Sequence, residues 1–212
     1  MRKAWLRWTV LGAPALLAVG CATYPDQATT RQNAEKMVSE DFSAPMPALL
    51  KRLVQDKSQQ ICSKIGDAKL TQEEAAEVVK LARASIQYPE SGKLVGDWKV
   101  GDELAHDGAG DRIQFGTLEK RKENGGLCQN CHALAPGEIN VGNVGPGLTG
   151  YGLQRGNSEA IARLTYERIY NGWAYAPCSN MPRLGANRHL TPEQIAHLVA
   201  YLIDPQSPIN TK

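Results

Sequence analysis

The stretch "GGLCQNCHAL", residues 125–134, sets two thiols three residues apart and an imidazole directly after the second. Cys128, Cys131 and His132 thus lie within about one helical turn. That spacing suits a flat ring held at its edge. Each thiol can make one thioether to a porphyrin vinyl group, and the next side chain falls beside the ring, where it can ligate the metal. It is the signature of covalent haem c attachment, with His132 as proximal ligand. With five cysteines and four histidines in 212 residues, chance is a weak competitor. A zinc site would want a fourth ligand and usually a second close pair, and the sequence holds no other Cys-x-x-Cys or His-x3-His. A thioredoxin-like dithiol would want a βαβ setting, whereas the surroundings read as helical and glycine-rich.

The rest of the composition agrees with a chain that folds around something. Aromatic residues are only 6% of the total, while Gly 20 and Pro 12 indicate long loops, and a core that lean gains from a cofactor or a covalent staple. The first twenty residues, "MRKAWLRWTVLGAPALLAVG", read as an export signal. Arg2, Lys3 and Arg7 precede an apolar stretch from Trp8 to Gly20 that is too short to span a bilayer. "LAVGC" resembles a bacterial lipobox, with Ala18 where leucine is commoner, which would make Cys21 a lipidated residue. Gly20 and Ala22 also fit the small-x-small rule, for cleavage after Ala22. Both routes imply a periplasmic protein. The signal carries three of the 24 Lys and Arg and none of the 22 Asp and Glu, leaving 21 against 22, so the mature chain offers no electrostatic case for nucleic acid.

The organisation expected is a signal peptide over 1–20, a polar arm and N-terminal helical region over 21–104, a haem domain over 105–206 and a tail over 207–212. The fold class is all-α with long ordered loops. Residues 22–45 are polar and read as a tether. Helical spacing of apolar residues runs from Pro47 to Ile65, and Thr71 with Glu74 forms a capping box for a helix striped by Ala75, Val78, Val79, Ala82 and Ile86. Lys93 to Gly110 reads as a connector, and Asp111 to Lys122 as a helix broken by "ENGG". Ser158 caps a helix carrying Ile161, Leu164 and Ile169. Thr191, Pro192 and Gln194 open a last helix striped by Ile195, Leu198, Val199 and Leu202.

If His132 holds one face of the iron, a second ligand decides the chemistry. Candidates are His106, His189, His197, Met37, Met46 and Met181. Met181 is favoured, because it lies in the loop "CSNMPRLG" rather than on an apolar helix stripe, and Pro182 stiffens it. His189 and His197 are expected at the surface. The Pro146 carbonyl, in "VGPGL", could accept the ring N–H of His132, or Pro146 could be an ordinary turn proline. Arg183, Tyr170 and Trp173 could reach haem propionates or simply pack.

"CQNCH", "GNVGPGL" and "MPRLG" before a capped terminal helix together resemble a class I cytochrome c domain. Through "YNGWAYAPCSNMPRLG" the chain resembles SoxX, the mono-haem subunit of the sulfur-oxidising SoxAX complex, over about residues 105–206. The resemblance implies Cys128 and Cys131 as thioether anchors to one haem c, and His132 and Met181 as iron ligands. It implies SoxA as a haem-bearing partner subunit, the carrier protein SoxYZ, and a small cytochrome c as electron acceptor. On this reading the chain is the non-catalytic electron-transfer subunit of an L-cysteine S-thiosulfotransferase complex that oxidises thiosulfate. The alternatives are a general periplasmic electron carrier or a peroxidase-like haem enzyme. In an oxidising compartment the two remaining cysteines, Cys62 and Cys178, are expected to form a disulfide that restrains the Met181 loop. The other possibility is that the Cys178 thiolate competes for the iron.

Overall fold

The computed structural model describes residues 25–41, 54–66, 69–110, 112–114, 117–119, 124–139 and 141–211. The stretch expected to be an export signal, Cys21, Ala22 and Met46 lie outside them. The described residues fall in two units, one ending at Ser43 and one beginning at Ala44. The first holds α1 (Gln27–Asp41), inside the stretch expected to be a tether. The Asp26 carboxylate accepts from Thr29 N at 2.9 Å, Lys36 pairs with Glu40 at 3.8 Å, and Ala, Gln, Glu and Lys supply propensity, so a helix forms without any apolar face. Met37 stands 61% exposed on it.

The second unit begins with α2 (Lys57–Cys62), continued by a 3-10 turn over Ser63–Gly66, and α3 (Gln72–Ala84). The capping box at Thr71 and Glu74 is present, and Val78 and Ala82 are the buried part of the expected stripe. α4 (Trp98–His106) follows, in a stretch expected to be a connector. The Asp97 carboxylate caps it by accepting from Lys99 N at 2.8 Å, and it buries Gly101, Leu104 and Ala105. Where a helix was expected over 111–122, β1 (Arg112–Gln114) pairs antiparallel with β2 (Thr117–Glu119), in the register Arg112↔Glu119, Ile113↔Leu118 and Gln114↔Thr117. Gly116 is a poor helix residue between the strands, and β-branched Ile113 and Thr117 favour extension. Apart from this hairpin the regular secondary structure among the described residues is helical, joined by long loops. α5 (Tyr151–Arg155), α6 (Glu159–Tyr170) and α7 (Pro192–Ile203) complete the elements.

α7 is the axis of this unit. Thr191 Oγ1 accepts from Gln194 N at 3.2 Å, Gln194 Oε1 accepts from Thr191 N at 2.9 Å, and Pro192 sits in the first turn. Eight of its twelve residues are buried, so it is packed on every side rather than along one stripe. α4 crosses it where Gly101 leaves no room: a Cβ there would stand 2.1 Å from the His197 carbonyl oxygen. α6 covers another side with Ala162, Tyr166, Ile169 and Tyr170. The segment expected to be a tail is also packed. Ile209 is fully buried, and Asn210 accepts from Gly152 N at 2.8 Å while donating to the Asp204 carbonyl at 2.8 Å.

α2 and α3 belong to this same unit. Asn171, buried behind α6, donates to Ser85 Oγ at 2.9 Å, and Tyr166 donates to the Gln87 carbonyl at 2.7 Å. Cys62, the last residue of α2, is joined to Cys178 by a disulfide spanning 116 residues. That removes Cys178 from the set of free thiolates.

Candidate cofactor site

The "ENGGLC" segment is docked on the C-terminal end of α4. Gly125 N donates to the Ala109 carbonyl at 2.7 Å, Gly126 N to Leu104 at 2.7 Å and Leu127 N to Asp107 at 3.1 Å. Only glycine fits at 125, because a Cβ would lie 2.0 Å from the Asp107 oxygen. Leu127 takes a left-handed φ of 43°, and the chain then turns through a 3-10 helix over Cys128–Asn130. Cys131 N and His132 N both donate to the Cys128 carbonyl, at 3.1 and 2.9 Å. One tight turn thus gathers both sulfurs and the imidazole.

The glycine-rich loop folds back against this turn. Gly142 N donates to Gln129 at 2.7 Å, Gly145 N to Cys131 at 2.8 Å and Leu148 N to Ala133 at 2.8 Å. A side chain at Gly145 would collide with the ring of His132, since its Cβ would stand 2.2 Å from Cε1. The next residue supplies the orienting bond: His132 Nδ1 donates to the Pro146 carbonyl at 2.7 Å. With Nδ1 protonated and engaged, Nε2 is the basic nitrogen, and among the described residues nothing hydrogen-bonds it.

Met181 arrives from the other side. Trp173 Nε1 donates to the Ser179 carbonyl at 2.8 Å, closing the loop, and Gly172 lies under the thioether, where a Cβ would sit 3.6 Å from Sδ. Arg183 is 7% exposed, stacks on Trp173 at 4.5 Å and pairs with Asp56 Oδ2 at 2.8 Å. Asp56 is the N-cap of α2, so an ion pair and the Cys62–Cys178 disulfide both tie α2 to this loop. The sequence does not reveal that pair, because 127 residues separate its members.

Cys128, Cys131, His132, Pro146 and Met181 all line one cavity of about 670 Å³, with Leu134, Leu148, Ile169, Leu198 and Leu202 among its walls. That volume lies within the range of cofactor pockets, about 300–1,000 Å³. Of the second-ligand candidates within the described residues, Met181 alone reaches it. His106 is engaged by Asp102 and Glu138. His189 and His197, expected at the surface, are half-buried. His189 Nε2 lies 2.9 Å from the Gly125 carbonyl, and His197 Nδ1 accepts from Asp97 N at 2.8 Å. Arg183, Tyr170 and Trp173 are not on the cavity wall; Arg155 and Arg168 are, and they are the guanidiniums that sequence reasoning missed.

The chemistry of the donor set discriminates between uses. Burial pushes the Cys128 thiol up to about 11, the reverse of the lowered value that a reactive dithiol needs. Both thiols of the motif are free. Among the described residues no three His, Cys, Asp or Glu side chains converge as a chelating cluster, so the four-ligand set of a structural zinc site is lacking there. An apolar cavity carrying two free thiols, one oriented imidazole and one thioether fits a covalently held metalloporphyrin.

No protein-family model matches the chain. It is 40% identical over 184 residues to an uncharacterized lipoprotein of Aquifex aeolicus (strain VF5), covering 87% of this chain and 84% of that protein. Identity and coverage at this level make the chain a member of that lipoprotein's family.

Proposed function

We propose that the protein is an exported, lipid-anchored haem c electron carrier, and that its place is the electron-transfer subunit of a SoxAX-type thiosulfate-oxidising complex. One observation carries the haem reading: the Cys128, Cys131 and His132 turn and Met181 share one apolar cavity, with His132 Nδ1 held by Pro146. Cys128 and Cys131 would anchor the ring, and His132 Nε2 and Met181 Sδ would hold its iron, which supplies one-electron chemistry when bound. The residues around them do the protein's share of the work. Pro146 fixes the imidazole tautomer and so leaves Nε2 as the nitrogen that can bind the metal. Leu134, Leu198 and Leu202 exclude water, and Arg155 and Arg168 are suited to the ring's carboxylates. Two protein ligands leave no open position for a substrate, which favours transfer of an electron over a peroxidase-like reaction.

The SoxAX assignment rests on the resemblance of residues 170–185, and a general electron carrier is the reading that survives without it. The anchor rests on Cys21 following "LAVG" and on the relative's name as a lipoprotein. The deciding experiment is one intact mass with an absorbance spectrum, on protein exported from a host that matures c-type cytochromes. A haem adduct, an acylated N-terminus at Cys21 and a Soret band are expected. A colourless protein at the mass of the bare chain sinks the haem reading. Co-purification with a second haem subunit tests the SoxAX assignment separately.

A further inference from the structure

His106 ends α4 with an oxygen against each ring nitrogen. Nδ1 lies 2.8 Å from the Asp102 carbonyl and 3.0 Å from its carboxylate, and Nε2 lies 3.0 Å from Glu138 Oε1. A neutral imidazole has a single N–H, so one of these contacts would set a lone pair against an oxygen; the imidazolium alone donates to both sides. Burial by itself would lower its titration, but the bond to Asp102 and the Glu138 carboxylate outweigh that and raise it. The ring stands edge-on to Tyr201 with centroids 6.1 Å apart, and Tyr201 is part of the cavity wall beside Cys128. Tyr201 is 1% exposed, and neither its hydroxyl nor Glu138 Oε2 has a hydrogen-bond partner among the described residues. His106 itself is 31% exposed, so its proton exchanges with solvent without unfolding. The other titratable groups on the packed elements are Lys99, Glu103 and the adjoining Asp107 on the side of α4, Cys128 on the following turn, and Glu193, His197 and Tyr201 on α7. Among the described residues, only Asp102 and Glu138 put a charge within hydrogen-bond reach of His106.

Resting on the haem reading of the cavity, we propose that His106 is a one-proton site whose charge is felt there, so that the reduction potential falls as pH rises through its titration. The sign follows from charge. An imidazolium beside the cavity disfavours the more positive, oxidised state, and its loss removes that penalty. Coupling is reciprocal, so oxidation makes His106 a stronger acid by the same factor. Each electron given to an external one-electron acceptor is then accompanied, near the titration, by partial release of the Nε2 proton to solvent; no other bond breaks.

The test is a mediated spectroelectrochemical titration of the mature protein, of His106→Gln and of Glu138→Gln, between about pH 5 and pH 9. Proton NMR of the His106 ring in both oxidation states accompanies it. A downward step is expected for the wild type, displaced to lower pH in Glu138→Gln and lost in His106→Gln, with a several-fold change in the His106 acid constant between oxidation states. A red protein with a potential flat in pH, or a step that survives His106→Gln, overturns this inference alone. So does an identical His106 titration in both oxidation states, which needs only the wild type should a variant fail to fold. A colourless protein overturns the cavity reading first and this inference with it.

Discussion

Gly145 carries no side chain because the imidazole of His132 occupies that space. Alanine there would place a Cβ 2.2 Å from Cε1 and push the ring off the Pro146 carbonyl. Gly145→Ala is therefore expected to cost about 1–3 kcal/mol in urea unfolding and, on the proposed reading, to lower covalent haem yield. At the far side, Met181→Ala would remove the proposed soft ligand. On the proposed reading, the reduced variant binds carbon monoxide readily while the wild type resists it; equal resistance in both removes Met181 from the iron. His106 makes a prediction about stability. Its raised titration means that the folded state binds the proton more tightly than the unfolded chain does. The resulting stabilisation is full below the unfolded value near 6.5 and is lost as pH rises through the folded value. A denaturant midpoint followed against pH should show that loss in the wild type and not in His106→Gln.

Among the elements, the disulfide and the Arg183–Asp56 pair hold α2 against the Met181 loop from two directions. Replacing Cys62 and Cys178 together by serine is expected to cost about 2–4 kcal/mol, with the larger values favoured by the long closed loop. On the proposed reading, the same variant should make Met181 more easily displaced from the iron by added imidazole. The double-cysteine variant also tests whether the loop or the core sets thermal stability, since α7 keeps its burial. How much of this was legible depends on what each segment displays. The helices with Ser or Thr caps announced themselves, because Thr71, Ser158 and Thr191 combine a side-chain acceptor with an apolar stripe. α4 did not: it spans only nine residues, and its buried face is Gly101, Leu104 and Ala105, two of which are small enough to pass for connector residues. Small residues are what the crossing with α7 requires. Glycine at 101 is the condition for close approach, so the signal of the contact is the lack of a side chain. The hairpin at 112–119 was misread because its strands are three residues each, too short for an alternating pattern to outweigh helical periodicity. In the site, the motif and Met181 were legible as residues with recognisable chemistry. Arg155, Arg168 and the Asp56–Arg183 pair were not, because nothing local marks a surface-type residue that tertiary folding turns toward a cavity or another helix.

On the scale of the whole molecule, the question raised by the proposed function is how an electron carrier of this size would stay near its partners. None of the described helices is long and apolar enough to cross a membrane. On the proposed reading the anchor is an acyl chain at Cys21, ahead of a polar stretch that includes α1, which contributes no apolar face of its own. Each buried methylene of an acyl chain contributes about 0.8 kcal/mol; one chain holds only marginally, and two signals hold stably. The anchor and the fold then act as separable parts. Cys21→Ser should move the protein from the membrane pellet and the detergent phase into the soluble fraction. Its absorbance spectrum, ligand-field bands and thermal midpoint should stay unchanged, because no residue of the cavity lies near that end of the sequence. Retention of Cys21→Ser in the membrane would replace the acyl anchor with an uncleaved leader or a protein tether. Loss of its Soret band would show that export and haem attachment depend on cleavage at that cysteine, and that the two parts are coupled in maturation.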